Sequence, residues 1–282
     1  MIDFTNEQFE FFIQFLQKQS GYKLTEDKKY LLDSRLSSVL DAHKPQDIDA
    51  LIKELKKDPG GAMASRVIEA MTINETFFFR DQHPFESFEK DILPQLAEWG
   101  KVRPVRIWSA ACSTGQEPYS IAMILEENKH EYPHLRYEII ATDINRQVLE
   151  KAKAGIFSVR EVTRGLPEKY KDKYFVPNGT QWQITEDIRK QVQYKYLNLQ
   201  DDFTGIGQFD VILLRNVLIY FDYELKEKVL SKIAKTIRKD GYLILGAAEG
   251  IHDPKHYFAR SQNVKNVYQY KDGLEAGLAI SG

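Results

Sequence analysis

Over residues 1–72 the apolar positions recur at helical spacing. Thr5-x-x-Gln8 forms a capping box, and Phe9, Phe12, Ile13 and Leu16 then share one face. Gly21 stops that helix. A second helix is expected over 26–43, with Leu32, Leu36, Val39 and Leu40 on one side. A third carries Ile48, Leu51, Ile52 and Leu55 and ends at DPGG, 58–61; a fourth, 62–72, carries Val67, Ile68 and Met71. Short loops between such helices predict a compact N-terminal helical bundle over 1–72.

After Thr72 the pattern changes. NETFFFRDQHPF, 74–85, is an aromatic connector within a linker over 73–84. A helix with Phe85, Phe88, Ile92 and Leu96 follows, which Pro94 is expected to kink or shorten. Strands and helices then alternate: VRIWSAA, helix 118–127, YEIIATD, helix 145–154, FDVILL, helix 223–239, GYLILGAA. Near-continuous apolar strands separated by helices predict an α/β fold, a Rossmann-like parallel sheet covered on both faces. NVYQYK, 266–271, reads as an edge strand. Asn178-Gly179 between two strand-like runs reads as a small β-hairpin insertion, about 172–196, in a catalytic domain over 73–282.

Composition adds exclusions. The chain has 282 residues, 43% of them hydrophobic, enough for one large domain or two smaller ones. A net charge of −2 gives no electrostatic footprint for nucleic acid. No apolar run reaches the roughly eighteen residues of a membrane span. MIDFTNEQFE lacks a signal-peptide pattern, and a single cysteine excludes an internal disulfide, so a cytoplasmic location is expected.

The candidate chemistry begins after VRIWSAA. The loop Ala111-Cys112-Ser113-Thr114-Gly115 holds one glycine where a dinucleotide fingerprint needs three. Pro118 marks the first helical residue, so the helix is expected to begin right after Glu117. A helix N-terminus attracts an anion and an acid beside it attracts a cation, a combination suited to a zwitterion such as the amino-acid end of S-adenosylmethionine. That cofactor has no phosphate, which accounts for the missing glycines. Asp143 ends the second strand, where an acid binds ribose hydroxyls; the competing reading is a cap for the next helix. Arg215 and Asn216 follow FDVILL at the carboxyl edge of the sheet, where open α/β sheets bind ligands. Tyr220 lies just beyond, as a ligand-facing group or a half-buried aromatic.

Taken together, NETFFFRD, WSAACSTGQEPYSIAM, ATDIN, LEKAKAGIF, LNL and FDVILLRNVLIYF strongly resemble the chemotaxis receptor methyltransferase family, CheR, over nearly the whole chain. The resemblance implies a class I methyltransferase. It would move a methyl group from S-adenosylmethionine to glutamate side chains in the cytoplasmic helical region of transmembrane chemoreceptors, releasing S-adenosylhomocysteine. It implies Asn74, Thr76, Arg80, Glu117, Asp143, Asn198, Leu199, Arg215 and Asn216 as cofactor-binding residues. Arg80 and Tyr220 would stand nearest the reacting methyl. Gln116 departs from the second acid of many relatives. The hairpin is shorter than in enteric-type enzymes, where this subdomain docks on a tethering peptide, and that leaves tethering open.

Arg80 could hold the acceptor carboxylate or the carboxylate of the cofactor. Lys28 and Arg35, seven apart on the second helix, offer a basic face for an acidic receptor helix or an ordinary solvated one. At least two of Phe77, Phe78 and Phe79 are expected in the core. Cys112 has no histidine partner for nucleophilic work, and Pro254 breaks the His252-x-x-x-His256 spacing, so no metal is expected. A monomer is expected. The rival readings are a methyltransferase for a small molecule or RNA, and a non-catalytic cofactor-binding scaffold.

Overall fold

The structure, a computed structural model, describes residues 4–43, 47–251, 257–261 and 264–271. The bundle comprises α1 (Asn6–Ser20), α2 (Lys29–His43), α3 (Ile48–Lys57) and α4 (Ala62–Met71). The capping box forms as expected: Thr5 Oγ1 accepts from Gln8 N–H, and Gln8 Oε1 accepts from Thr5 N–H. Phe12, Leu16, Leu32, Leu36, Leu51 and Val67 are buried in its core. Residues 26–28 form a separate 3-10 turn rather than the first turn of α2.

The second part begins with α5 (His83–Ser87) and α6 (Leu93–Gly100), joined by a π turn at Phe88–Ile92. Pro94 therefore does not break this run. The wider turn before it, with Leu93 N–H bonded to Phe88 C=O, absorbs the irregularity where a normal ladder would need a donor from proline.

The sheet then follows as β1 (Val105–Ala110), α7 (Gln116–Glu127), β2 (Tyr137–Asp143), α8 (Arg146–Ala154) and β3 (Ile156–Ser158). Short helices α9 (Val159–Thr163) and α10 (Glu168–Tyr174) lead into β4 (Phe175–Asn178) and β5 (Gln181–Ile184). A single turn, α11 (Glu186–Arg189), precedes β6 (Val192–Tyr196) and β7 (Phe209–Leu214). The chain closes with α12 (Tyr223–Thr236), β8 (Ile237–Leu245), β9 (Phe258–Arg260) and β10 (Val267–Tyr270). The large sheet has the order β6-β2-β1-β7-β8-β10-β9, with parallel pairing from β6 to β8. Strand order reverses direction at β1, so a crevice opens beyond the carboxyl ends of β1 and β7.

Alternate residues of each central strand feed opposite cores. Val105, Ile107, Val211 and Leu213 pack on one face; Trp108, Ala110, Ile212 and Leu214 pack on the other. That double burial explains the unbroken apolar runs seen in the sequence.

Several boundaries differ from the sequence reading. Residues 192–196, assigned there to the insertion, form β6 at the edge of the large sheet. The insertion is a three-stranded antiparallel sheet, β3-β5-β4, because β3 pairs with β5. β10 is not an edge strand: β9 pairs with its far side. Residues 237–239 leave the helix and open β8, whose pairing with β7 shifts register between Phe209 and Val211, with Asp240 at φ 62°. His252, His256 and the tail from 272 onward lie outside the described residues.

Candidate active site

The loop after β1 solves a close approach without a glycine run. Ala111 and Ser113 adopt left-handed backbone at φ 56° and 52°, and Gly115 follows at φ 94°. A Cβ on Gly115 would sit 2.8 Å from the Tyr194 hydroxyl and 3.0 Å from Ala152 Cβ, so glycine is required at that one position. Gly115 caps α7, which begins at Gln116, two residues before the proline that was expected to start it. Glu117 therefore lies inside the first turn, where negative charge complements the helix dipole.

Glu117 is buried and held from both sides. Its Oε1 accepts from Ser109 Oγ at 2.7 Å and its Oε2 from Arg215 Nη1 at 2.9 Å. Arg215 Nη2 donates to the Arg80 carbonyl at 2.7 Å and to Asp81 Oδ2 at 2.9 Å. Both terminal nitrogens of Arg215 are thus engaged by the protein. Its Nε is buried and has no partner among the described residues.

Asp143 ends β2 with both oxygens engaged: Oδ2 accepts from Ser113 N–H and Oδ1 from Asn145 N–H, each at 2.9 Å. Burial pushes its carboxyl above the ordinary range, and the backbone N–H groups of Asn145, Ser113 and Ile144 pull the other way. Helix capping falls to Asn145 instead, whose Oδ1 accepts from the N–H groups of Gln147 and Val148. The Asn145 amide also donates to Glu69 C=O and Thr72 Oγ1, joining this corner to the end of α4.

The connector carries Asn74, Thr76 and Arg80. Ser113 Oγ donates to the Asn74 carbonyl at 2.8 Å, fastening it over the β1 loop. Phe78 and Phe79 are buried, with Phe78 edge-on to Phe157 and Phe175 and Phe79 against Phe85 and Tyr170. Phe77 is the ring left at the surface side, beneath Arg80 and Arg164. Phe79, Asp81 and Gln82 all have positive φ, at 52°, 68° and 45°. Three non-glycine residues in such backbone hold strain of about 1–3 kcal/mol each. Arg80 Nη1 donates to the Glu75 carbonyl at 2.6 Å, and no ion pair forms on Arg80 among the described residues.

After β6, Asn198 Nδ2 donates to Gln19 C=O in the N-terminal domain, with Leu199 buried beside it. After β7, Asn216 turns at φ 56° and Tyr220 packs 6.0 Å from the ring of Tyr22. Burial raises the Tyr220 phenol above its ordinary range, and the charge of Arg80 opposes it. Burial also raises the Tyr22 phenol, whose hydroxyl has no partner among the described residues. Cys112 is buried, and burial, Asp143 and Glu117 together push its thiol well up, so it is an inert packing group.

Asn74, Thr76, Arg80, Glu117, Asp143, Asn198, Leu199, Arg215, Asn216 and Tyr220 all line one cavity of about 1020 Å³, counted to its open mouth. They come from the connector, from the first turn of α7 and from the segments that end or follow β2, β6 and β7. Sequence reasoning missed Ser109, which shares Glu117, and Tyr22 and Ser20, which reach the cavity from the helical domain. It also missed Glu249, which binds the backbone of the 216–219 turn. Ser109 lies inside the run WSAACSTGQEPYSIAM without a signal of its own, and the others lie outside every motif read from the sequence. Among the described residues no cluster of side chains could hold a metal ion.

The cavity suits S-adenosylmethionine. Each oxygen of Glu117 accepts one hydrogen bond from the protein, and Asp143 accepts from backbone N–H groups alone, whereas an ionised carboxylate has about four acceptor sites. Both acids retain capacity for a ligand's ammonium and hydroxyl groups. The β1 loop offers no pyrophosphate cradle.

Comparison with known proteins agrees. Residues 74–267 match the CheR methyltransferase, SAM binding domain, and residues 7–72 match the CheR methyltransferase, all-alpha domain. Chemotaxis protein methyltransferase Cher2 of Pseudomonas putida is 36% identical over 271 residues, 94% of this chain and 98% of that protein. Chemotaxis protein methyltransferase 1 of Pseudomonas aeruginosa is 39% identical over 257 residues, covering 89% and 93%. The chemotaxis protein methyltransferase of Borreliella burgdorferi is 35% identical over 261 residues, covering 90% and 92%. The chain belongs to the CheR methyltransferase family, with S-adenosylmethionine as its cofactor.

Proposed function

We propose that this enzyme esterifies glutamate side-chain carboxylates in the cytoplasmic helical region of transmembrane chemoreceptors, acting as a cytoplasmic protein. The observation that carries the choice of acceptor is the absence of a general base. The described residues lining the cavity include no histidine and no lysine. Glu117 is paired with Arg215, Glu75 with Arg164, and Asp143 accepts backbone N–H groups. The phenols and the thiol in the cavity are all shifted towards their protonated forms by burial. An amine acceptor would need a proton removed before attack; a glutamate is already ionised at neutral pH.

When bound, S-adenosylmethionine supplies a sulfonium methyl open to in-line attack. The chain's own residues do the rest by position and desolvation. Glu117 receives the ammonium of the amino-acid moiety and Asp143 the ribose hydroxyls. Asn198 and Leu199 bound the nucleoside side, while Asn74, Thr76 and Asn216 complete the cofactor contacts. Arg215 acts on the cofactor through Glu117 and the 80–81 turn that it holds. Arg80, with no carboxylate partner among the described residues, grips an incoming carboxylate. Tyr220 stays a neutral donor beside it. A sulfonium donor and a carboxylate acceptor would neutralise each other, so lining residues that exclude water would favour the transition state over the separated ions.

The relatives' names support a chemotaxis role, and no described helix is long and apolar enough to cross a membrane, which fits action on a receptor's exposed region. The test supplies methyl-labelled cofactor with receptor-bearing membranes and treats the product with mild alkali. Carboxyl methyl esters release labelled methanol, as expected here. Alkali-stable label would indicate a nitrogen acceptor, and no label a scaffold.

A further inference from the structure

Glu249 lies in the turn beyond β8, outside every motif read from the sequence. It is 7% exposed, and no ion pair forms on it among the described residues. Burying a carboxylate costs several kcal/mol unless hydrogen bonds replace its hydration. Here four backbone donors do so. Oε2 accepts from Asn216 N–H at 2.6 Å and Gly246 N–H at 2.8 Å; Oε1 accepts from Val217 N–H at 2.9 Å and Ile219 N–H at 3.4 Å.

Three of those donors belong to one short segment, the turn that runs from Arg215 to Tyr220. Asn216, which follows Arg215, sits in left-handed backbone at φ 56°, which aims successive N–H groups at one point. Such a nest binds an anion; here the anion is the protein's own side chain. The approach is tight from the other side too. A Cβ on Gly246 would lie 2.7 Å from both Asn216 Nδ2 and Glu249 Oε2, so residue 246 has to be glycine for the two turns to meet. Asn266 Nδ2 donates to the Gly246 carbonyl and fixes the same turn against the strand behind it.

We propose that Glu249 is a positioning residue for methyl transfer. It is not among the residues lining the cavity. It sets the 216–219 turn, and through it the placement of Asn216 and Tyr220 relative to the cofactor and the acceptor. The inference rests on the function proposed above. Glutamine at 249 keeps the size but offers one acceptor oxygen. Its amide –NH2 then faces either the Asn216 and Gly246 donors or the Val217 and Ile219 donors, and one side of the turn is released.

The test compares wild type, Glu249→Gln and Gly246→Ala, at a temperature where circular dichroism shows each folded. It measures kcat and KM for labelled S-adenosylmethionine with receptor membranes, and hydrogen exchange at the 216–219 amides. A misplacement of about 1 Å lowers turnover by up to about a hundredfold, so kcat is expected to fall about tenfold or more, with any rise in the cofactor's KM through Asn216 smaller than that fall. Exchange at Asn216 and Val217 should accelerate in the same variants. Gly246→Ala disturbs the same contact with the carboxylate intact, so it decides the matter if Glu249→Gln does not fold. Wild-type kcat in the folded variants, or a change in KM alone, overturns the proposal. If wild type itself transfers no methyl to receptors, the functional reading fails, and exchange at 216–219 still decides whether Glu249 holds the turn.

Discussion

Arg215 and Glu117, 98 positions apart in the sequence, meet as a buried ion pair with Nη1 to Oε2 at 2.9 Å. The pair joins the end of β7 to the first turn of α7, and Asp81 and the Arg80 carbonyl extend it to the connector. Removing one partner of a buried pair leaves the other charge uncompensated, at a cost of about 3–5 kcal/mol. Arg215→Ala is therefore expected to lose that much stability in chemical denaturation. Glu117→Gln leaves Arg215 its contacts to Asp81 and Arg80, so it should stay folded. A charge-assisted hydrogen bond contributes about 1.5–3 kcal/mol, so its affinity for S-adenosylhomocysteine should fall roughly ten- to a hundredfold by calorimetry. Unchanged affinity would remove Glu117 from the ammonium site.

Asp143 predicts a pH dependence of opposite sign for stability and for binding. Its folded carboxyl is raised above the ordinary range, chiefly by burial. The folded state thus holds the proton more tightly than the unfolded chain. From this group alone the free protein gains stability as pH falls through the raised value, and loses it as pH climbs back. Binding should go the other way if, as proposed, the ionised carboxylate accepts hydrogen bonds from the ribose hydroxyls. Affinity for S-adenosylhomocysteine should decline on acidification from a pH above that of an unperturbed aspartate. In Asp143→Asn affinity should be low and the pH profile flat over that window. A wild-type profile in that variant would assign the titration elsewhere.

On the proposed function, Arg80 and Tyr220 would divide the labour around the acceptor. The Arg80 guanidinium is committed to one carbonyl and the Phe77 ring, so it can turn to a carboxylate without breaking an ion pair. Arg80→Ala is expected to lose most receptor methylation. Tyr220→Phe keeps the ring contact with Tyr22 and loses only the hydroxyl, so a smaller but clear loss is expected, about 1 kcal/mol in the transition state or roughly fivefold in rate. Both variants are measured in the alkali-release assay. Wild-type turnover in both would refute these roles.

The parts of this site that show in the sequence are those where physics leaves a one-dimensional trace. β2 and β7 are buried on both faces, so the polar residue that ends each apolar run, Asp143 or Arg215, marks the carboxyl edge. The β1 loop shows because its small residues precede an amphipathic helix. β6 does not show: as an edge strand with exposed positions, its VQYKY pattern has no continuous apolar run. β3 is three residues long, too short for any period. The start of β8 continues the apolar spacing of α12 through Ile237 and so reads as helix. Glu249 acts through the N–H groups of Asn216, Val217 and Ile219, and a backbone N–H has no letter of its own.

Arg35 illustrates the same limit and supplies a further test. Seven residues from Lys28, it reads as half of a basic docking face. In the structure its Nη1 donates to the carbonyls of Ala70, Met71 and Thr72, at 3.3, 2.8 and 3.0 Å. These are the orphan acceptors at the end of α4, which has no basic residue in its own last turn. Arg35 is thus a helix cap supplied from α2, and Thr72 passes the connection to Asn145, beside Asp143. Arg35→Ala is expected to lower stability by about 2–3 kcal/mol and to weaken S-adenosylhomocysteine binding as well. Reversing Arg35 together with Lys28 would therefore confuse misfolding with lost docking. Lys28→Glu alone separates the two. With the basic-face reading correct, it lowers receptor methylation more at low salt than at high salt, while thermal midpoint and cofactor affinity hold at wild-type values. Equal methylation by Lys28→Glu and wild type across the salt series would remove the docking role, and a wild-type midpoint in Arg35→Ala would remove the cap.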